Sequence, residues 1–301
     1  MSAGAAQYLA VDIGTTSLRA GVVSHGTVTE SAVTAHPPEA DATKLLDSVL
    51  FAIDVVLSAS AEPVEGLAVS CPGPLKLPSG DVSPLGISAW RDFPLRDHLA
   101  DRFGLPVLID RDAVCLARGE QLGGRGNVLG VLCDATVTSG LVLHDDVAVD
   151  GDVAHVVVTG DSAPCRCGAH GCLAATVDAD RILATAARVG ARAQDLTDLV
   201  AMARRGDKCA ADALHAAGTA LGTALASAAA LLDLDVAAIG GGLSHAADLV
   251  MDGVFAAWER HHSGGSNRRC RVVLAAPDSV LIGAATLFRG APETGPRNGF
   301  P

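Results

Sequence analysis

Between His155 and Ala175 the chain reads HVVVTGDSAPCRCGAHGCLAA, which places Cys165, Cys167 and Cys172 close together beside two histidines, His155 and His170. Three thiolates and one imidazole complete a tetrahedral zinc shell. With no position left for water or substrate, that is the structural form of a zinc site. Either histidine could supply the fourth bond. The other cysteines, Cys71, Cys115, Cys133, Cys209 and Cys270, stand singly on strand-like or helix-like segments and read as small buried hydrophobes. Clustered thiols favour metal over disulfide in a reducing compartment, and the expected location is the cytoplasm.

Three other stretches could handle phosphate and a reacting hydroxyl. DIGTTS puts Asp12 at a strand end and then Gly14, Thr15 and Thr16 in a tight turn. Such a turn offers backbone N–H groups and hydroxyls to phosphate oxygens, while the carboxylate faces a magnesium ion through water. In IGGGLS, Gly240, Gly241 and Gly242 would let a flat ligand such as adenine approach the backbone, although the same glycines would equally serve close strand–helix packing. In LIDRDAVC, Asp112 falls where a strand passes into a helix, as either a helix N-cap or a base that takes the proton from an attacking hydroxyl.

These residues need elements to hold them. YLAVDI (8–13) reads as a buried strand, and residues 18–34 alternate around His25-Gly26 like a hairpin. Residues 41–58 carry apolar side chains at helical spacing, 66–70 return to strand, and a short helix runs from Pro94 to a stop at Gly104. A strand (PVLID) and a helix (DAVCLARGEQ) follow. From Val128, the segment VLGVLCDATVTSGLVLHDDVAVDG repeats the plan of the N-terminal strand, acidic turn and hairpin, which predicts an internal duplication. An Ala-rich helix is expected over 207–233, a strand, glycine turn and helix from VAAIGGGLS onward, and a last helix over 278–289.

The composition narrows the function. The 301 residues carry a formal charge of −12, only 3% aromatics, and lysine at Lys44, Lys76 and Lys208 alone. No basic stripe or stacking platform is present for nucleic acid, and no basic surface for anionic membrane. The apolar runs of membrane-span length are broken by Asp or Gly. Only seven residues precede the first strand, so an N-terminal helix-turn-helix is not expected.

Taken in order on a duplicated plan, these segments resemble the ROK family of sugar kinases and repressors. The most specific part is the family pattern G-E-x-G-H followed by C-x-C-G-x-x-G-C-x-E, which stands here as GDVAH (151–155) and CRCGAHGCLA (165–174). CPGPL (71–75), WRDFPLRDHLADRFGLPVLIDRDA (90–113), GGGLS and SVLIGAATL extend the likeness over nearly the whole chain. The resemblance implies an α/β, two-lobed actin-like ATPase (ribonuclease H-like) duplicated fold with a structural zinc site. Its small lobe would be residues 1–112 with 278–292, its large lobe 113–277, and 293–301 a flexible tail.

The same resemblance implies ATP with Mg2+, and Zn2+ held by His155, Cys165, Cys167 and Cys172, with the other His155 ring nitrogen able to touch the sugar. Asp112 would be the general base. Asp12, Gly14, Thr15, Thr16, Thr136, Thr138 and Gly240 to Gly242 would hold the nucleotide, and Arg111, Asp112, Asp152 and His155 the acceptor. A homodimer or dimer of dimers is implied.

Several positions depart from the pattern. Arg111 replaces an Asn, Asp152 a Glu, Ala174 a Glu, and Gly86 falls where the family has another Asn. Each lost hydrogen bond to a substrate hydroxyl costs about 1 kcal/mol, or up to about 3 when charged, so a sugar, amino sugar or cyclitol-like acceptor other than plain glucose is expected. The glycine-rich second phosphate run of the family is DATVTSG (134–140) here, where β-branched Val137 and Thr138 would tolerate positive φ badly. The alternative reading is a catalytically degenerate binding or regulatory protein.

Overall fold

The structure is a computed structural model that describes residues 6–36, 40–121, 126–144, 147–149, 152–160, 163–262 and 270–289. The tail expected at 293–301 lies outside the described residues. The chain divides into two compact units, Met1–Cys115 with Val280–Pro301, and Leu116–Ser279.

In the first unit, β1 (Gln7–Ile13), β2 (Ser17–Ser24) and β3 (Thr27–Ala35) form an antiparallel meander. The β2–β3 turn is made by His25 and Gly26, both at positive φ (52° and 75°), which matches the right-handed twist of the hairpin. Helix α1 (Ala42–Ala59) starts at Asp41, whose side chain accepts the Lys44 N–H. After β4 (Gly66–Cys71), the short strands β5 (Leu75–Lys76) and β6 (Asp81–Val82) pair with each other. Helix α2 (Leu95–Phe103) runs between Pro94 and a left-handed Gly104, and β7 (Val107–Arg111) completes the sheet in the order β3-β2-β1-β4-β7. The core under α1 is aliphatic and closes around one large ring, Trp90, whose indole N–H donates to the Ala42 carbonyl.

Helix α3 (Asp112–Gln121) carries the chain from the first unit into the second. There β8 (Val128–Cys133), β9 (Val137–Leu143) and β10 (Val147–Val149) repeat the meander. After the zinc-type loop come α4 (Ala174–Val177), α5 (Ala179–Val189), α6 (Leu196–Arg204) and α7 (Lys208–Leu231). Next are β11 (Val236–Gly240), α8 (Ala247–His262) and β12 (Arg271–Leu274). The second sheet has the order β10-β9-β8-β11-β12, with the same sequence of antiparallel and parallel pairings as the first, so the internal duplication is a duplication of topology.

Helix α7 is long and apolar enough to cross a membrane, but most of it is buried here as the central helix of the second unit. It lies close against α8. A methyl group added at Gly218 or Gly222 would stand 2.1 or 2.3 Å from a carbonyl oxygen of α8, so the small residues of α7 set the spacing of that pair. The last helix is shorter than the pattern suggested. It consists of α9 (Ser279–Ala285) and a single 3-10 turn over Thr286–Phe288, and Leu281, Ala284 and Ala285 pack with Ala10, Val23, Ala68 and Cys115 in the first unit.

Candidate functional site

The first unit gathers its acidic residues by strand register. Asp12 on β1 is paired with Ser70 on β4, and Ser70 with Asp110 on β7, so three polar residues form a row across the end of a parallel sheet. The Ser70 hydroxyl donates to Asp12 Oδ1 at 2.7 Å, which orients that carboxylate. Asp112, the first residue of α3, is nearly buried, and its Oδ1 accepts the Ala113 N–H at 2.7 Å. An N-cap reaches the N–H two or three residues on, so this bond to the next residue does not make Asp112 the cap of α3 and leaves the base as the reading of that carboxylate. Cys71 is close to both acids. Burial, then the charges of Asp112 and Asp12, push its thiol well above the ordinary cysteine range, so it is a neutral spacer and no nucleophile. Arg111 ends β7, in register with Cys71.

After Asp12 the chain turns at Gly14, Thr15 and Thr16. Gly14 N–H donates to the Ser17 carbonyl at 2.9 Å, and the Thr16 carbonyl accepts the His36 N–H at 2.9 Å. Thr16 is exposed and Thr15 half-buried against Gly86. The loop that carries Gly86 is tied by Arg91, whose guanidinium donates to the carbonyls of Pro84 (3.1 Å) and Ile87 (2.8 Å).

In the second unit, the turn between β8 and β9 meets the glycine run. The Asp134 carboxylate accepts the Gly242 N–H at 2.6 Å. Gly241 has φ +81°, and a Cβ there would lie 2.8 Å from Cys133 N, so this glycine serves the approach of one chain segment to another. Val137 and Thr138 belong to β9, and the only non-glycine residues at positive φ among the described ones are His25 and Asp92. The β-branched residues of this turn are therefore not strained. The turn is held from outside instead. Asp178, nearly buried, accepts the Val137 N–H at 2.8 Å and pairs with Arg166 of the zinc-type loop at 3.4 Å. Burial raises the Asp178 carboxyl above its ordinary value, opposed by the Val137 N–H and by Arg166. Thr136 lines a pocket of about 360 Å³ with Arg166 and Asp178.

His155, Cys165, Cys167 and Cys172 bring their ligand atoms within 4.8 Å of one another. Cys165 Sγ lies 3.5 Å from His155 Nδ1, and Cys167 Sγ lies 3.7 Å from Cys172 Sγ. A tetrahedron with zinc–sulfur bonds of about 2.3 Å has edges of about 3.8 Å, and these two separations match it, so the donor set fits zinc. Of the two candidate histidines, His155 belongs to this cluster, and its Nδ1 faces the thiols. Its Nε2 lies 3.8 Å from Asp152 Oδ2, on the other side of the ring. The other Asp152 oxygen is occupied by the Ala154 N–H (2.9 Å) and the Ser139 hydroxyl (3.1 Å).

Ser70, His36, Ser139 and Asp178 escaped sequence reasoning. Ser70 carried a signal, since it is a lone hydroxyl in an otherwise apolar strand. His36 and Asp178 carried none, because their partners lie 22 and 41 residues away.

Two sheets of one topology, each with an acidic turn after its first strand, define the fold of the actin-like ATPases, here with a donor set suited to zinc. The chain belongs to the ROK family, whose model matches residues 8–291. It is 27% identical to a glucokinase of Streptomyces coelicolor, over 93% of this chain and 97% of that one. It is 28% identical to the DNA-binding transcriptional repressor Mlc of Escherichia coli, over 68% of this chain and 56% of Mlc. Among solved structures, a ROK family glucokinase from Streptomyces griseus in complex with glucose and AMPPNP superposes with a TM-score of 0.77 at 26% identity, covering 94% of this chain and 99% of that one.

Proposed function

We propose that this protein is a cytoplasmic, ATP-dependent kinase that phosphorylates a hydroxyl of a sugar, amino sugar or cyclitol-like compound other than plain glucose. The observation that carries the reading is the acidic row of the first unit, in which Asp12 is oriented by Ser70 while Asp112 stands at the head of α3. Phosphoryl transfer needs positioning and charge neutralisation more than covalent help, and these residues can supply both.

Asp112 takes the proton of the attacking hydroxyl as its oxygen bonds the γ-phosphorus of ATP and the bond from that phosphorus to the β–γ bridging oxygen breaks, releasing ADP. Asp12 would hold the magnesium ion, the Gly14–Thr16 turn of the first unit would receive phosphate, and in the second unit the hydroxyls of Thr136 and Thr138 would serve the nucleotide. Gly240 to Gly242 lie along the nucleoside. Magnesium, when bound, neutralises charge on the phosphate oxygens. Arg111, Asp152 and His155 contact the acceptor. The zinc donor set leaves no open position, so His155 orients a wall of the acceptor pocket. The departure from glucose rests on Gly86 and Ala174, which present no hydrogen-bonding side chain, and on the charge of Arg111. A homodimer or a dimer of dimers is the assembly that the family likeness suggests.

The test is turnover with MgATP against a panel of hexoses, amino sugars and cyclitols, comparing native protein with Asp112→Asn. The expected result is that kcat falls at least about 100-fold while MgATP binding is kept. Turnover indifferent to this substitution overturns the assignment of the base. Native protein that binds nucleotide and sugar without turnover points instead to a regulatory member of the family, the reading favoured by its likeness to Mlc.

A further inference from the structure

His36 directly follows β3, the edge strand of the first sheet, and it makes two bonds to the Gly14–Ser17 turn. Its backbone N–H donates to the Thr16 carbonyl at 2.9 Å, and its ring Nε2 lies 2.8 Å from the Gly14 carbonyl oxygen. A carbonyl oxygen only accepts, so Nε2 is the nitrogen that carries the proton in this contact. Nδ1 is buried and has no hydrogen-bond partner among the described residues. Among the described residues the ring's one hydrogen bond is thus to the Gly14 carbonyl.

That carbonyl belongs to the peptide plane that also contains the Thr15 N–H. The plane is rigid and its C=O and N–H point in opposite directions. Pinning the Gly14 oxygen against His36 therefore aims the Thr15 N–H away from the sheet edge, and this N–H has no acceptor among the described residues. An amide fixed in this way is a ready donor to an anion.

We propose that His36 is a positioning residue that sets the direction of the Thr15 amide toward a phosphate oxygen of the nucleotide. The inference rests on the kinase reading above. It accounts for a histidine directly after an edge strand with one ring nitrogen committed to a turn carbonyl and the other without a partner among the described residues. A capping role for the strand alone needs only the His36 backbone, and leaves the ring bond unexplained.

The test uses the full chain and two variants. His36→Phe keeps the ring volume without a donor, and His36→Gln places an amide N–H at nearly the reach of Nε2. The measurements are MgATP and adenosine binding by calorimetry, and amide hydrogen exchange at Thr15. His36→Phe should weaken MgATP about tenfold, leave adenosine within about twofold, and speed exchange at Thr15; His36→Gln should stay within about threefold of native for MgATP. Three results overturn the proposal: native MgATP binding in His36→Phe, equal loss in Phe and Gln variants, or equal loss for adenosine. Native protein that binds no MgATP overturns this inference and the kinase reading together. Native protein that binds MgATP without transferring phosphate, with His36→Phe weakened as stated, overturns the kinase reading alone.

Discussion

Gly86 lies flat against the side chain of Thr15: a Cβ at position 86 would stand 2.3 Å from Thr15 Cγ2 and 3.1 Å from its Cβ. The loop that was expected to contact the acceptor is thus seated on the turn that was expected to hold phosphate, and Thr15 fills the space a side chain at 86 would need. Gly86→Ala should destabilise by about 1–3 kcal/mol through overpacking. Thr15→Ser removes the obstructing methyl, and in that background Gly86→Ala should cost at least about 1 kcal/mol less, as read by urea unfolding of the four proteins of the cycle. Additive effects would show that the two residues do not share this space.

The purified protein should carry about one zinc per chain. Cys167 is the exposed ligand, so Cys167→Ser disturbs packing least and isolates the metal's contribution. This variant should lose zinc and about 3 kcal/mol of stability, with a fall in Tm of several degrees, and chelation of the native protein should reproduce the fall. His155→Ala should lose the metal while His170→Ala keeps it, as metal analysis of the two variants will report.

Asp178 offers a pH signature. Its carboxyl has a raised pKa in the folded state because it is buried, so the native protein holds that proton more tightly than the unfolded chain. The stability this gives is fully present below the unfolded value of about 3.9 and is lost as pH rises through the folded value. Asp178→Asn keeps an oxygen for the Val137 N–H and does not titrate. The variant should therefore gain relative to native as pH rises above about 4, measured as unfolding free energy at each pH. A difference that is flat, or that moves toward native, would contradict the burial argument.

The glycine run should respond unequally. Gly241→Ala meets both a φ of +81° and a backbone nitrogen at 2.8 Å, whereas a Cβ at Gly242 would only touch Asp134 Oδ1 at 3.4 Å. The first should cost about 2–3 kcal/mol and weaken adenosine nucleotides, and the second less than about 1 kcal/mol. Thermal unfolding and nucleotide titration of the two variants decide it, and equal effects would count against the chain-packing role of Gly241.

The sequence by itself determined the elements and the chemistry that repeats along the chain. The His25-Gly26 hairpin, the helix between Pro94 and Gly104, the duplicated strand, turn and hairpin, and the C-x-C-G-x-x-G-C spacing are local patterns, set by backbone preference and short-range side-chain spacing. Residue types and spacing left His155 and His170 open, the family pattern pointed to His155, and the packed fold brings the His155 ring to the thiols. It decided that the second turn needs no positive φ at Val137, since Asp178, distant in sequence, holds that turn by its N–H. It also decided that Thr15 occupies the space beside Gly86. Each is a contact between residues whose separation along the chain carries no period, so only the packed fold could select it.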